Sequence, residues 1–284
     1  MTATAEQDEI PLELLRERAQ FVRRETVRLI SIAKTGHYSS TFSCAEILST
    51  LYYDTMRLRR GEPLWPDRDR FVMGKGHAAV GLYPILADYG FFDPKLLDEY
   101  TRLGNPLGDH PDMTSVPGVD FSSGSLGHNL SVGLGIALGA RLTDRAFNVY
   151  ALLGDGEMHE GQIWEAASAA SHYHASNLVA IIDRNGFCLD GRVEDVLGIE
   201  PLGDRWRAFG WHVVEVDGHD VAALATALRE IRNDDARVRP AVVIAHTVKG
   251  KGVGFMEREF GWHLGWLNAE DERAVYEELA DGDA

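Results

Sequence analysis

An anionic oxygen and an amide oxygen stand thirty positions apart in this 284-residue chain. Asp155 lies within Gly154-Asp155-Gly156-Glu157, and Asn185 within Asp183-Arg184-Asn185-Gly186. Both side chains offer the hard oxygens that magnesium takes in octahedral geometry, the shell being completed by water or phosphate. Gly154 and Gly156 let backbone and phosphate approach where a Cβ would intrude. Taken singly, Gly-Asp-Gly also serves as a surface turn and Asn-Gly as a hairpin turn.

The flanking elements favour the cation reading. Val149 to Leu153 is an apolar run that reads as a buried strand, and Leu178 to Ile182 is a second. An Ala-rich helical stretch, Glu160 to Tyr173, lies between them. Strand, turn, helix, strand is a right-handed crossover that leaves both strand ends on one edge of a parallel sheet. Ligands of such sheets bind at that edge, so Asp155 and Asn185 are expected to face one crevice. The helix N-terminus after Asp155 adds N–H groups suited to an anion.

Gly-Asp-Gly followed after about thirty residues by Asn resembles the thiamine diphosphate-binding motif. The surrounding run from Gly154 through His159, Glu160 and Trp164 to Ala166 resembles transketolase in particular. That resemblance implies that Asp155, Asn185 and the backbone carbonyl of Phe187 bind Mg2+, which grips the cofactor diphosphate. It also implies cofactor contacts from Gly124, Leu126 and Gly127, and from the Gly154–Glu157 turn.

Composition bounds the rest. The chain is 45% hydrophobic, with formal charge −16, so it can bury a large core, roughly three-quarters of its unfolded surface at this size. One domain covering 1–284 is the simplest count. Such an acidic balance argues against a nucleic-acid or anionic-membrane surface, which needs clustered Lys and Arg. Cys44 and Cys188 give no disulfide framework and fit a reducing cytoplasm. No apolar run reaches membrane-spanning length, and Met1 to Glu9 is polar, unlike a signal peptide.

Further along the chain, helices are expected over Leu12–Ile32, Ala45–Met56 with Ser43 as N-cap, Ala78–Tyr89, Pro94–Leu103, Val221–Ile231 and Ala269–Leu279. Ser122 to Asn129 opens another helix, with small residues on repeated faces. Arg70–Met73, Trp211–Val216 and Pro240–His246 read as strands. Strands alternating with helices imply an α/β fold, a mainly parallel sheet covered on both faces.

Four histidines sit in loops that such a sheet brings to its carboxyl edge: His37 after Gly36, His77 after Gly76, His110 before Pro111, and His263. Each alone suits an ordinary solvent-facing imidazole, but all four match positions where transketolases carry histidines. The resemblance implies that His37 and His110 contact sugar hydroxyls, and that His77 and His263 lie near the diphosphate and the reacting carbon. Imidazole can donate to alkoxide and accept from hydroxyl, as that work requires. Glu160 is either a helix-start carboxylate favoured by the dipole or, by resemblance, part of a carboxylate network between paired sites. Lys249 approaches the diphosphate or solvates its loop; the remaining histidines, including His159 and His219, are expected to be structural.

The resemblance runs from about Arg23 to His263 and covers the N-terminal half of a full-length transketolase, the diphosphate-binding domain. No stretch resembles the pyrimidine-binding domain, so a partner subunit carrying it is expected, in a heterotetramer acting on a sugar. The implied reaction moves a two-carbon unit from a ketose to an aldose. An acyloin-forming, deoxyxylulose phosphate synthase-like or 2-oxo acid dehydrogenase subunit is the rival, as is a non-catalytic regulator. The histidine set favours transketolase over the other enzymes, and the paired Asp155 and Asn185 speak against a regulator. Three departures stand out: Tyr38-Ser39-Ser40 after Gly36-His37, where the family has Pro-Gly-Gly; Asn129 in place of glycine; and Leu264 to Leu267 after His263. Tyr38 and Trp266 are expected to narrow the site.

Overall fold

The computed structural model describes residues 10–281. Met1 to Glu9, read above as unlike a signal peptide, and the final residues to Ala284 lie outside the described residues. In chain order the elements are α1 (Leu12–Ala33), α2 (Tyr38–Phe42), α3 (Ala45–Thr50), β1 (Arg70–Met73), α4 (Ala79–Asp88), α5 (Asn129–Leu142), β2 (Val149–Gly154) and α6 (Gly161–His172). They continue with β3 (Leu178–Arg184), α7 (Val193–Leu197), α8 (Leu202–Ala208), β4 (His212–Asp217), α9 (Val221–Asn233), β5 (Ala241–His246) and α10 (Ala269–Asp281).

Five strands form one sheet in the order β1-β2-β3-β5-β4, every pair parallel. The apolar runs explain why. Alternate residues of a strand face opposite sides, and in the central strands β2, β3 and β5 both sides are buried, so these read as near-continuous apolar runs, whereas edge strand β4 is half-exposed and carries His212, Glu215 and Asp217. Tyr150, Leu152, Val179, Ile181 and Val243 pack with residues of α1, α3, α4 and α9. Val149, Ala151, Leu153, Ala180, Ile182 and Val242 pack on the other face with α5, α6 and α8. Each fully buried Leu or Ile contributes about 1.5–3 kcal/mol through area removed from water. Among the described residues no helix is long and apolar enough to cross a membrane.

Three expectations change. Ser43 does not cap α3: Cys44 holds that place, and the Ser43 hydroxyl donates instead to Asp183 Oδ2 at 2.6 Å. The expected helix from Pro94 to Leu103 is a single tight helical run, Pro94–Glu99, begun by Asp93 accepting from the Lys95 N–H. Thr101 and Gly104 then take positive φ, which no helix continues through. The helix after the Asp155 turn begins at Gly161 and not at Glu160, so Glu160 is its N-cap residue.

Candidate active site

The β2–β3 register sets Gly154 opposite Asp183, which puts the turn after each strand side by side. Asp155, 1% exposed, takes three hydrogen bonds from local donors, which leaves acceptor capacity on Oδ1. Its Oδ1 accepts the Gly156 N–H at 2.8 Å; its Oδ2 accepts the Gly186 N–H at 2.6 Å and Arg184 Nη1 at 2.9 Å. Arg184 also binds Glu194 of α7 and Glu200, so one guanidinium ties the Asp155 turn to the segment over it. Burial and the nearby Asp183 raise the Asp155 carboxyl above its usual range, against the pull of Arg184. A divalent cation at this carboxylate would relieve that cost.

Asn185 is buried beside it. Its Nδ2 donates to Asp183 Oδ2 at 3.1 Å, while its Oδ1 accepts the Phe187 N–H at 3.1 Å. Asp183 is wholly buried and takes further hydrogen bonds from the Lys75 ammonium, Ser43 and Thr247. Burial alone would raise its carboxyl; Lys75 and these donors hold it below the usual range. Lys75, Asp183 and Arg184 carry the arrangement yet were not singled out from sequence. Their signal was adjacency to Asn185 and to the Gly74–His77 run.

Across the cavity, His37, His77 and His263 form a triangle, with ring centroids 4.9, 5.2 and 5.2 Å apart. Lys249 Nζ lies 3.1 Å from His263 Nδ1, and an ammonium has no acceptor. Nδ1 must therefore accept, which leaves the proton of the neutral ring on Nε2. Burial and neighbouring positive charge push His263 down to about 3 and His77 well below its ordinary value, so both are neutral at physiological pH. Burial also brings Lys249 down to about 8. His110 packs against Gly124, where a Cβ would stand 3.2 Å from its ring.

These groups line one cavity of about 400 Å3, a size suited to a cofactor. It gathers His37, His77, His110, His263, Glu160 and Lys249 with Gly124, Leu126, Gly154, Asp155, Gly156, Glu157, Asn185 and Phe187. Gly127 lies just beneath. Its φ is +90° and a Cβ there would meet Glu160 Cβ at 2.6 Å, so only glycine fits. The Gly127 N–H and the Gly154 N–H donate to Glu157, whose carboxyl burial pushes up to about 7.

Tyr38 does not narrow the cavity; it is 0% exposed and packs against Phe42 in the core. Trp266, 60% exposed, is not among the cavity residues either. Asn129 is fully buried, and neither amide atom has a hydrogen-bond partner. His159, expected to be structural, reaches the cavity, and its Nε2 lies 2.7 Å from the Leu197 carbonyl of α7. His219 is structural: its Nε2 accepts the Val248 N–H at 2.8 Å and its Nδ1 faces Glu46 at 3.0 Å, fixing the backbone next to Lys249.

Comparison with known proteins gives this geometry a family. Residues 16–280 match the family described as transketolase, thiamine diphosphate binding domain. The chain is 40% identical to one of the subunits of the apulose-4-phosphate transketolase of Phocaeicola vulgatus, covering 95% of both chains. It is 37% identical to a 6-deoxy-6-sulfo-D-fructose transketolase subunit of a Clostridium species, over 93% of this chain and 96% of that one. Human transketolase is 37% identical over 90% of this chain, which spans 40% of that protein. Among solved structures, Pichia stipitis transketolase in complex with sedoheptulose-7-phosphate superposes with a TM-score of 0.87 at 30% identity, over 94% of this chain and 41% of that one.

Proposed function

The chain belongs to the transketolase family, as its thiamine diphosphate binding domain, and we propose that it is the N-terminal subunit of a two-chain transketolase. The assembly moves a two-carbon ketol unit from a ketose to an aldose. One observation carries the reading: the Gly186 N–H bond to Asp155 joins the Asp155 and Asn185 turns beneath three clustered imidazoles. The donor set fits the cofactor. Asp155, Asn185 and the Phe187 carbonyl are the oxygens that would hold Mg2+. Gly124, Leu126, Gly127 and Gly154 to Glu157 would cradle the cofactor, with Lys249, His77 and His263 towards the diphosphate.

Bound there, thiamine diphosphate supplies the electron sink for carbon–carbon cleavage. The chain's own residues hold and move protons around it. Because His77 and His263 are neutral, each can accept from a hydroxyl or donate to a developing alkoxide without first losing a proton. His263 presents its Nε2–H for this, since Lys249 occupies Nδ1. His37 and His110 bind substrate hydroxyls, and Glu160, exposed at the cavity, is available to a carboxylate network with a second site.

The chain spans about two-fifths of full-length transketolases but nearly all of the subunit relatives. We assign the pyrimidine-binding domain to a partner subunit in a cytoplasmic heterotetramer. Exposed Leu126, Leu189 and Val196 lining the cavity support such a cover. In the test, purified chain and partner are mixed with a ketose donor and an aldose acceptor. Turnover is expected only with both chains, thiamine diphosphate and Mg2+; turnover by this chain alone would contradict the two-chain reading.

A further inference from the structure

Asp109 lies between two cavity histidines, His37 and His110, and has no place in the cofactor assignment above. The loop carrying it is pinned just before it: the Tyr83 hydroxyl donates to the Gly108 carbonyl at 2.9 Å, and the Thr101 N–H donates to the Leu107 carbonyl at 2.9 Å. Its two oxygens then face different rings. Asp109 Oδ1 lies 3.8 Å from His37 Nδ1, and Oδ2 lies 3.5 Å from His110 Nδ1.

Both distances exceed a normal hydrogen bond. The His37 Nδ1 is buried and has no hydrogen-bond partner. The Asp109 side chain is 35% exposed. A carboxylate has about four lone-pair sites, so these two long contacts leave acceptor capacity beside His37 and His110, which themselves line the cavity. Burial works against the charge, but His37, His110 and Tyr100 hold the carboxyl below its usual range, so it is ionised at neutral pH. An ionised carboxylate accepts from hydroxyls and cannot donate to an anion.

We propose that Asp109 is a specificity-determining residue that accepts hydrogen bonds from substrate hydroxyls beside the reacting carbon and disfavours a negative charge there. This rests on the transketolase reading, which brings the sugar to His37 and His110. Selection then works both ways: a hydroxyl satisfies the carboxylate, whereas an anionic group in the same place meets like charge with no proton to share.

The test uses the chain reconstituted with its partner subunit, thiamine diphosphate and Mg2+. Two donors sharing the same transferable unit are compared, an uncharged ketose and a 3-hydroxy-2-oxo acid whose carboxylate adjoins the reacting carbonyl. Asp109→Asn is expected to raise the kcat/KM ratio of acid to ketose by at least about threefold, as removal of a unit charge several ångströms away requires. Asp109→Glu is expected to retain the wild-type order, and thiamine diphosphate affinity to stay within about twofold in both. An unchanged ratio in Asp109→Asn and Asp109→Ala overturns the proposal. So does an equal loss for both donors accompanied by weaker cofactor binding, which would mark a structural residue. If the wild-type complex turns over neither donor, the transketolase reading itself fails, and the proposal falls with it.

Discussion

Asp183 Oδ2 accepts a hydrogen bond from Asn185 Nδ2 at 3.1 Å while pairing with the buried Lys75 ammonium. An amide has one donor end and one acceptor end. Engaging the nitrogen below therefore turns the Asn185 oxygen away from Asp183, the orientation a cation ligand needs. The carboxylate that orients the ligand is in turn kept charged by a lysine 108 positions away in sequence.

That pair has a measurable weight. Asp183→Asn leaves the Lys75 ammonium buried without its partner, a change expected to cost about 3–5 kcal/mol in urea denaturation. Lys75→Met combined with Asp183→Asn is expected to recover a large part of the loss, because the stranded charge is gone. Strict additivity of the two single changes would show that the residues do not act as a pair.

Depressed histidines predict the acid limb of stability. An unfolded imidazole titrates near 6.5, whereas His263 titrates near 3 and His77 also lies well below. Between those values the unfolded chain binds more protons, so stability falls as pH drops below about 6.5. His263→Gln is expected to flatten the slope between pH 6.5 and 4 by up to about one proton, followed by urea melts across that window. An unchanged slope would mean that His263 titrates normally.

Lys249 predicts the alkaline limb of cofactor binding. Its ammonium is brought down to about 8 by burial, with Lys75 adding to the effect. As pH rises through that value the chain loses a positive charge beside the proposed diphosphate site. Thiamine diphosphate affinity of the assembled enzyme, followed by titration calorimetry from pH 7 to 9.5, is expected to weaken. Lys249→Arg keeps its charge throughout and is expected to remove the decline. The same decline in both proteins would exclude Lys249 as its source.

The sheet was legible because both of its faces are buried, which writes strands such as Val149–Leu153 and Leu178–Ile182 as continuous apolar runs. That the Asp155 and Asn185 turns are neighbours was legible because they follow those two strands, which pair directly. Less visible was whatever depends on long-range placement. Ser43 looks like a helix cap, but a carboxylate 140 positions away claims its hydroxyl. Tyr38 follows a cavity histidine, yet the first turn of α2 rotates it into the core beside Phe42. Short α7 carries too few apolar residues for a periodic signal, and Arg184 and His159 tie it down through contacts no local pattern announces.

The central claim is that Asp155 and Asn185 share one divalent cation which tethers the cofactor. Its most direct test is calorimetric titration of thiamine diphosphate into the assembled enzyme with and without Mg2+, wild type against Asp155→Ala. Folding of each protein is checked by circular dichroism. Wild-type affinity is expected to depend on Mg2+, and the variant to lose at least about a hundredfold, the cost of removing an anionic ligand and its buried charge interaction. A folded Asp155→Ala protein that binds the cofactor as tightly as wild type would contradict the assignment.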